Sequence, residues 1–419
     1  MHRKQVIILS TLSFLLLSCL CPLANIVEQI SDPSTPQEPI QVFEPLPTET
    51  PVAEETVVVF PTGTHIYRGN LERTGVYQSA GPKTSPGVRW KFNTEGVISN
   101  SSPIVYEHIA YIGSENGLFA VDIQTGQSLW NYQTNGSVQT SPSLEDGIVY
   151  FGSLDGLLHA LDCQTGEPLW SFDTGGEIRS SPILYQGMVF FGGDDGFFYA
   201  LDAQTGQESW RFEVAGTVDP LAGFYKAVRA APAISGDSVL FGNTQIGGAS
   251  AELKFYALDT KTGDVHWTFD AWNLTSSPVV ADGVVYFGGF MSFVGLDLES
   301  GSPEFTFTMD WGGIYPPAIF DGIAYFGTDN GSLHALDLQT NEEIWIFESG
   351  RSVTFDTAPS IADGVIYAGS GDGFMYAVDL QTGQFLWEFE TGGWISSSPV
   401  IFEGVLYFGS ADGYLYALE

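Results

Sequence analysis

Positive charge is scarce in this chain. Across 419 residues there are 14 Lys+Arg against 50 Asp+Glu, a formal net charge of −36. A molecule so acidic repels phosphate backbones, which argues against nucleic acid as a partner. Cysteine is nearly absent too. Cys19 and Cys21 lie at the start and Cys163 stands alone in the body. One thiol there can build neither an internal disulfide nor a cysteine-based metal site, and it reads as a small buried apolar residue. No stretch carries the 3.6-residue periodicity of a long amphipathic helix. The six His show no paired metal spacing, and no Ser-His-Asp set, phosphate-cradling loop or recurring carboxylate pair emerges. Asp194-Asp195-Gly196 and Asp372-Gly373 have calcium-ligand chemistry, but they coincide with hairpin turns that need those residues anyway. No catalytic, cofactor-binding or metal-binding residue is expected.

The N-terminal end reads as an export signal. His2, Arg3 and Lys4 precede an apolar run from Val6 to Leu17, too short to span a bilayer, which takes about 20 residues. Leu16-Leu17-Ser18-Cys19 resembles the lipobox of bacterial lipoproteins, and that resemblance implies a lipid on Cys19 after removal of residues 1–18. The alternative is an ordinary secretory signal cleaved nearby. Residues 19–64 are rich in Pro, Thr and Glu, cannot bury a core, and read as an extended tether.

What the sequence has in abundance is glycine, aromatics and a repeat. There are 49 Gly, and 14% of residues are aromatic, which suits many short strands joined by tight turns. Ala120–Trp130 reads AVDIQTGQSLW, and related copies end at Trp170, Trp210, Trp267, Phe305, Trp345 and Trp387. A small or polar residue followed by proline runs in step, at Pro103, Pro142, Pro182, Pro232, Pro278, Pro317, Pro359 and Pro399. One period predicts four strands, at 141–144, 148–153, 157–162 and 167–173, with Glu145-Asp146-Gly147 and Leu154-Asp155-Gly156 as hairpin turns. Four antiparallel strands in about 40 residues is the period of a propeller blade.

The motif residues have physical tasks. The Asp accepts hydrogen bonds from amides of its own turn, Gly supplies positive φ, and the aromatic ring lies flat between neighbouring blades. Asn341 replaces that Gly in one copy and is the next best left-handed residue. The last copy stops after three strands, while Arg89-Trp90-Lys91-Phe92 is a fourth strand with no blade before it. Pairing the two closes a ring of eight blades over residues 65–419 and removes the exposed edges.

The repeated Ala-x-Asp-x-x-Thr-Gly-x-x-x-Trp pattern resembles the tryptophan-docking motif of the PQQ-like (quinoprotein-type) β-propeller family. Tyr407–Ala417 and the lead-in from Arg68-Gly69-Asn70 to Arg73-Thr74-Gly75 resemble it as well. The resemblance implies one of three roles. Quinoprotein dehydrogenases of this fold use PQQ and calcium, but carry a vicinal cysteine pair that this chain lacks. A second role is scaffolding without catalysis, as in the anchored propeller lipoprotein of the outer-membrane barrel-assembly machinery. A third is extracellular ligand sensing or polysaccharide binding. The expectation is a non-catalytic scaffold on the extracytoplasmic side, held to a membrane by its lipid and bound to a protein partner, with glycan or small-ligand binding as the alternative.

Candidate contact residues follow from the repeat. Insertions at 213–229 and 243–254 break the spacing around the fourth blade and read as binding loops. Three residues before each proline lies a position expected to ring the channel mouth: Asn100, Gln139, Arg179, Arg229, Thr275, Ile314, Asp356 and Ser396. Arg179 and Arg229 are positioned either to clamp a carboxylate or to pair internally with Asp219 or Asp356. Trp272, Trp311 and Trp394 lie in loops on the same face, outside the docking motif, where aromatics suit peptide or sugar contact.

Overall fold

The computed structural model describes residues 66–419 apart from 215–224, 247–252, 272–275 and 352. Every regular element among them is a strand. The chain winds eight antiparallel sheets around one channel. Blades 1 to 7 occupy residues 104–132, 143–173, 183–213, 233–271, 279–313, 318–348 and 360–390. Blade 8 combines residues 400–418 with the N-terminal strand Val88–Asn93, in which Trp90 pairs with Ala417. The predicted closure of the ring is therefore present. In blade 2 the strands are Ser143–Glu145, Ile148–Gly152, Leu157–Asp162 and Pro168–Asp173, within two residues of the predicted bounds. Asp146 and Gly147 both have positive φ, as a tight hairpin turn demands. In blade 5 one 14-residue strand, Val284–Asp297, does the work of two. It folds back at Met291 (φ 63), which brings Tyr286 against Gly295.

The core lies between blades, where sheets face one another. Phe198 of blade 3 stacks on Phe241 of blade 4 with centroids 3.9 Å apart, and Phe255 of blade 4 on Phe287 of blade 5 at 4.6 Å. The docking aromatics seal each junction from outside. Each ring pairs across its own blade with the small residue of the motif, as Trp130 does with Ala120. Six of the eight rings, all but Phe305 and Trp387, then cover the turn glycine of the next blade. A Cβ on Gly166 would lie 2.6 Å from Trp130, and one on Gly383 would lie 2.6 Å from Trp345. Both glycines also have φ near +70°, so Gly383→Ala combines a clash with backbone strain. It is expected to lower the unfolding free energy measured by chemical denaturation by about 2 kcal/mol or more, where an exposed turn glycine such as Gly350 tolerates the same change better. Indole nitrogens complete the junctions. Trp90 donates to the Ile123 carbonyl at 2.8 Å, Trp130 to Cys163 at 3.0 Å and Trp170 to Ala203 at 3.0 Å. Cys163 is 2% exposed and burial pushes its thiol pKa up, as the apolar reading expects.

The other motif residues also do what their chemistry suggests. Asp162 Oδ1 accepts the Thr165 amide and hydroxyl, both at 2.8 Å, and the same turn recurs at Asp122, Asp202 and Asp379. These contacts hold the carboxyl pKa of each below the ordinary value. The residue before the proline links neighbouring blades around the channel in four of them. The Ser102 amide donates to Ser141 Oγ, the Ser141 amide to Ser181 Oγ, and the Ser398 amide to Ser102 Oγ across the closure.

Blade 8 ends before its own Thr-Gly turn, so Trp387 has no following turn to cover. Pro82 supplies the missing carbonyl, 2.9 Å from Trp387 Nε1 and 3.2 Å from the Tyr367 hydroxyl. The lead-in ahead of it fills the channel. Carbonyls of Leu71, Glu72, Thr74 and Gly75 accept the amides of Ile234, Val280, Ile319 and Ile361, one from the innermost strand of each of blades 4 to 7. Val76–Tyr77 then pairs in parallel with Ile361–Ala362. Residues 66–77 thus form a plug that crosses the channel, with Arg68 and Arg73 wholly buried.

Candidate functional site: the channel mouth and its rim

The plug turns the channel into a funnel open on the face that carries the loops between blades. Its cavity is about 440 Å³. Tyr67 of the plug lines it together with Asn100, Arg229, Asn243, Tyr315, Asp356 and Ser396. Four of the eight ring positions read from the repeat line this cavity: Asn100, Arg229, Asp356 and Ser396. Ile314 does not. It is fully buried against Gly288, as Ile178 is against Gly152 in blade 2. The linker into blade 6 is one residue shorter, so Tyr315 takes the ring position instead. Thr275 and Trp272 lie outside the described residues.

The two insertions meet. Tyr225–Ala227 from the first pairs with Thr244–Ile246 from the second, a two-stranded ribbon at the funnel wall with Ala227 opposite Thr244. Lengthening two loops of one blade on one face has produced a single projection. Asn243 and Thr244 at its base line the cavity.

The two arginines converge on one acid. Arg229 donates through Nε and Nη2 to Asp194 at 2.9 and 2.6 Å. Arg179 Nε lies 3.6 Å from the same carboxylate, and its other nitrogens reach Gln139 at 2.5 Å and Glu177 at 2.6 Å. The partner is thus Asp194, in the turn between strands two and three of blade 3, and not Asp356; Asp219 lies outside the described residues. Both guanidinium groups are committed to the wall.

Asp356 stands apart from that network. Its Oδ1 is buried and accepts no hydrogen bond among the described residues. Burial, reinforced by the nearby Asp329 carboxylate, pushes its pKa up to about 6. Asp329 itself accepts the Gly313 amide at 2.9 Å and the Tyr315 hydroxyl.

The rim carries the exposed aromatics. Trp311 is 62% exposed and Trp394 55%. Trp311 sits edge-on to Phe290, centroids 6.2 Å apart, with Met291 exposed beside them. The sequence reading missed Phe290 and Met291, although a signal was there. Six blades turn between strands two and three through Asp-Gly or Asn-Gly, as at Asp155-Gly156 and Asn330-Gly331, and blade 4 carries an insertion there. Blade 5 alone substitutes Phe290-Met291 and extends the adjoining strand, Pro303–Gly313, to reach Trp311. Of the acids named as possible calcium ligands, Asp194 is taken by Arg229, and Asp195 and Asp372 are bonded within their own hairpins. Asp195 is bonded by the Tyr199 hydroxyl, and Asp372 accepts the Tyr376 hydroxyl at 2.6 Å and the Phe374 amide at 3.0 Å.

The family model for outer membrane protein assembly factor BamB matches residues 133–347 and 340–419, well over half of the chain. The chain belongs to this family of PQQ-like propellers. No curated protein matches it in sequence. Solved structures that share the fold include BamB from Moraxella catarrhalis, at 19% identity and TM-score 0.65, covering 80% of this chain and 100% of that one. A europium-containing methanol dehydrogenase aligns at 16% identity and TM-score 0.72, covering 86% and 98%. The quinohemoprotein alcohol dehydrogenase from Comamonas testosteroni aligns at 18% and 0.71, covering 85% and 80%. At such identities these structures share a fold with the BamB-like chain, and the fold alone carries no activity.

The dehydrogenases raise the question of whether this funnel suits a quinone and its cation. A hard cation needs several oxygen ligands brought to one point. Asp356 is the one carboxylate on the described funnel wall. No group of three or more His, Cys, Asp or Glu able to hold a metal occurs among the described residues. Cys163 is buried in the core shared by blades 1 and 2, away from the funnel. The residues of the funnel do not fit that pair of groups.

Proposed function

We propose that this BamB-family chain is a non-catalytic scaffold that docks a protein partner through the loop face of its propeller, at a membrane surface outside the cytoplasm. The observation that carries the reading is the apolar patch of Phe290, Met291 and Trp311. Large aromatic side chains left in water on an otherwise acidic, strongly charged molecule mark a contact site. They also occupy the one blade whose polar turn has been replaced. Trp394, on the linker into blade 8, extends the same face. In this reading residues 1–18 are a signal peptide, Cys19 carries the lipid, residues 19–64 are the tether, and the propeller begins at residue 65. Among the described residues no helix is long and apolar enough to cross a membrane.

The double variant Phe290→Ser, Trp311→Ala tests the docking surface. Both side chains are exposed, so thermal stability should change by less than about 1 kcal/mol. Co-purification of the partner from solubilised membranes should fall at least about tenfold, the scale of losing two interface anchors. Undiminished co-purification would remove this patch as the docking site.

A further inference from the structure

We propose that the funnel is a binding site for a small hydroxylated amine of amino-sugar size, whose ammonium group pairs with the carboxylate of Asp356. Three observations lead there. First, Asp356 is an unmatched charge. Its Oδ1 is buried with no hydrogen-bond partner among the described residues, and the neighbouring charge that acts on it is a second carboxylate, Asp329. A half-buried carboxylate bonded only by its own backbone amide among the described residues is costly, and most other acids around the channel are tied to another residue's amide, a tyrosine or an arginine. Second, among the described residues no cation pairs with it. Arg229, which shares the cavity, directs two of its nitrogens to Asp194. A ligand that completes the funnel therefore brings a positive group, and the net charge of −36 concentrates cations near the mouth.

Third, the rest of the lining suits hydroxyls. Tyr67, Asn100 and Asn243 line it with phenol and amide groups, Ser396 with a hydroxyl that accepts the Asn100 amide and still has its proton to give, and Tyr315, whose proton goes to Asp329, with an acceptor oxygen. A cavity of about 440 Å³ falls in the range of small-molecule sites and holds a monosaccharide with some water. The plug closes the inner end, so the ligand enters and leaves from the loop face. The site is separate from the blade 5 patch, and its occupancy does not depend on a protein partner.

Isothermal titration calorimetry at neutral pH tests this with glucosamine, galactosamine and mannosamine as probes and with glucose, galactose and mannose as controls. Each control replaces the ammonium group by a hydroxyl. At least one amino sugar is expected to bind about tenfold or more tightly than its neutral counterpart, the scale of one charge-assisted contact. Asp356→Asn should abolish that preference, and Trp311→Ala should leave it intact. Circular dichroism and thermal unfolding would verify that the Asn variant is folded. Equal binding of amino and neutral sugars, no binding of any of the three amines, or an unchanged preference in Asp356→Asn would each overturn the proposal.

Discussion

Trp387→Ala is expected to destabilise the propeller by about 3–5 kcal/mol, the cost of deleting a large aromatic side chain from a packed site. Trp387 is 3% exposed, and it is the docking aromatic whose neighbour comes from the other end of the sequence. Its indole bond to Pro82 ties the start of the chain to blade 7 just before Val88–Asn93 pairs with blade 8. Losing the ring leaves a void at that junction and frees the segment whose return closes the circle. Trp170 offers the comparison, because it is half-buried and bonded to Ala203 in the next blade of a continuous stretch. Trp170→Ala should cost less, and it should not expose the blade 8 edge. Urea unfolding followed by tryptophan fluorescence and by far-ultraviolet dichroism measures both. The two probes should stay coincident for Trp170→Ala and separate for Trp387→Ala as blades 7 and 8 loosen first.

Asp356→Asn is expected to stabilise the protein at pH 7. The carboxyl pKa rises from the ordinary value of 3.8 to about 6 in the folded chain, chiefly through burial and then through Asp329. The native state therefore holds its proton more tightly than the unfolded state does. Stability contributed at this position is full below about pH 4 and falls as pH rises to about 6, remaining at the lower level above that. Two pKa units correspond to about 3 kcal/mol, and water in the open funnel reduces this to about 1–2 kcal/mol. Thermal unfolding from pH 4 to 8 should show the variant gaining on the wild type across that window and level above it. Tyr315 and Arg229 line the same cavity, Asp329 acts on Asp356 from behind it, and all three are retained in both proteins, so the difference isolates Asp356. A side chain that weakens the fold and yet lines a cavity is the signature expected of a site kept for binding.

The fold was legible because the repeat states it eight times over. Each Ala-x-Asp-x-x-Thr-Gly-x-x-x-Trp copy carries its own turn chemistry and its own docking ring, and local signals of that kind survive averaging. The incomplete last copy and the orphan strand around Trp90 announced the closure. The plug was not legible in the same way. Arg68 and Arg73 occur once, and a lone Arg-Gly-Asn stretch has no period to show that it crosses the channel. Counting back from proline located Arg229 and Asp356 on the funnel but misplaced Ile314, since one deleted residue shifts a linker without leaving a mark in its composition. Among the described residues Arg179 and Arg229 meet at Asp194 and not at Asp356, because a turn in blade 3 brings that acid to the wall, and partner choice depends on turn geometry rather than on charge alone. Phe290 and Met291 were readable as the blade that lost its Asp-Gly turn. They were overlooked because they contribute to no repeated motif.

The central claim is that the loop face docks a protein and the opposite face does not. Photo-crosslinking in the native cell tests it most directly, with the crosslinking residue at Trp311 in one variant and at Thr205, in a turn on the opposite face, in another. The docking account predicts one protein captured from the Trp311 position and absent from the Thr205 position. Identical captures from both positions, or none from Trp311, would contradict it.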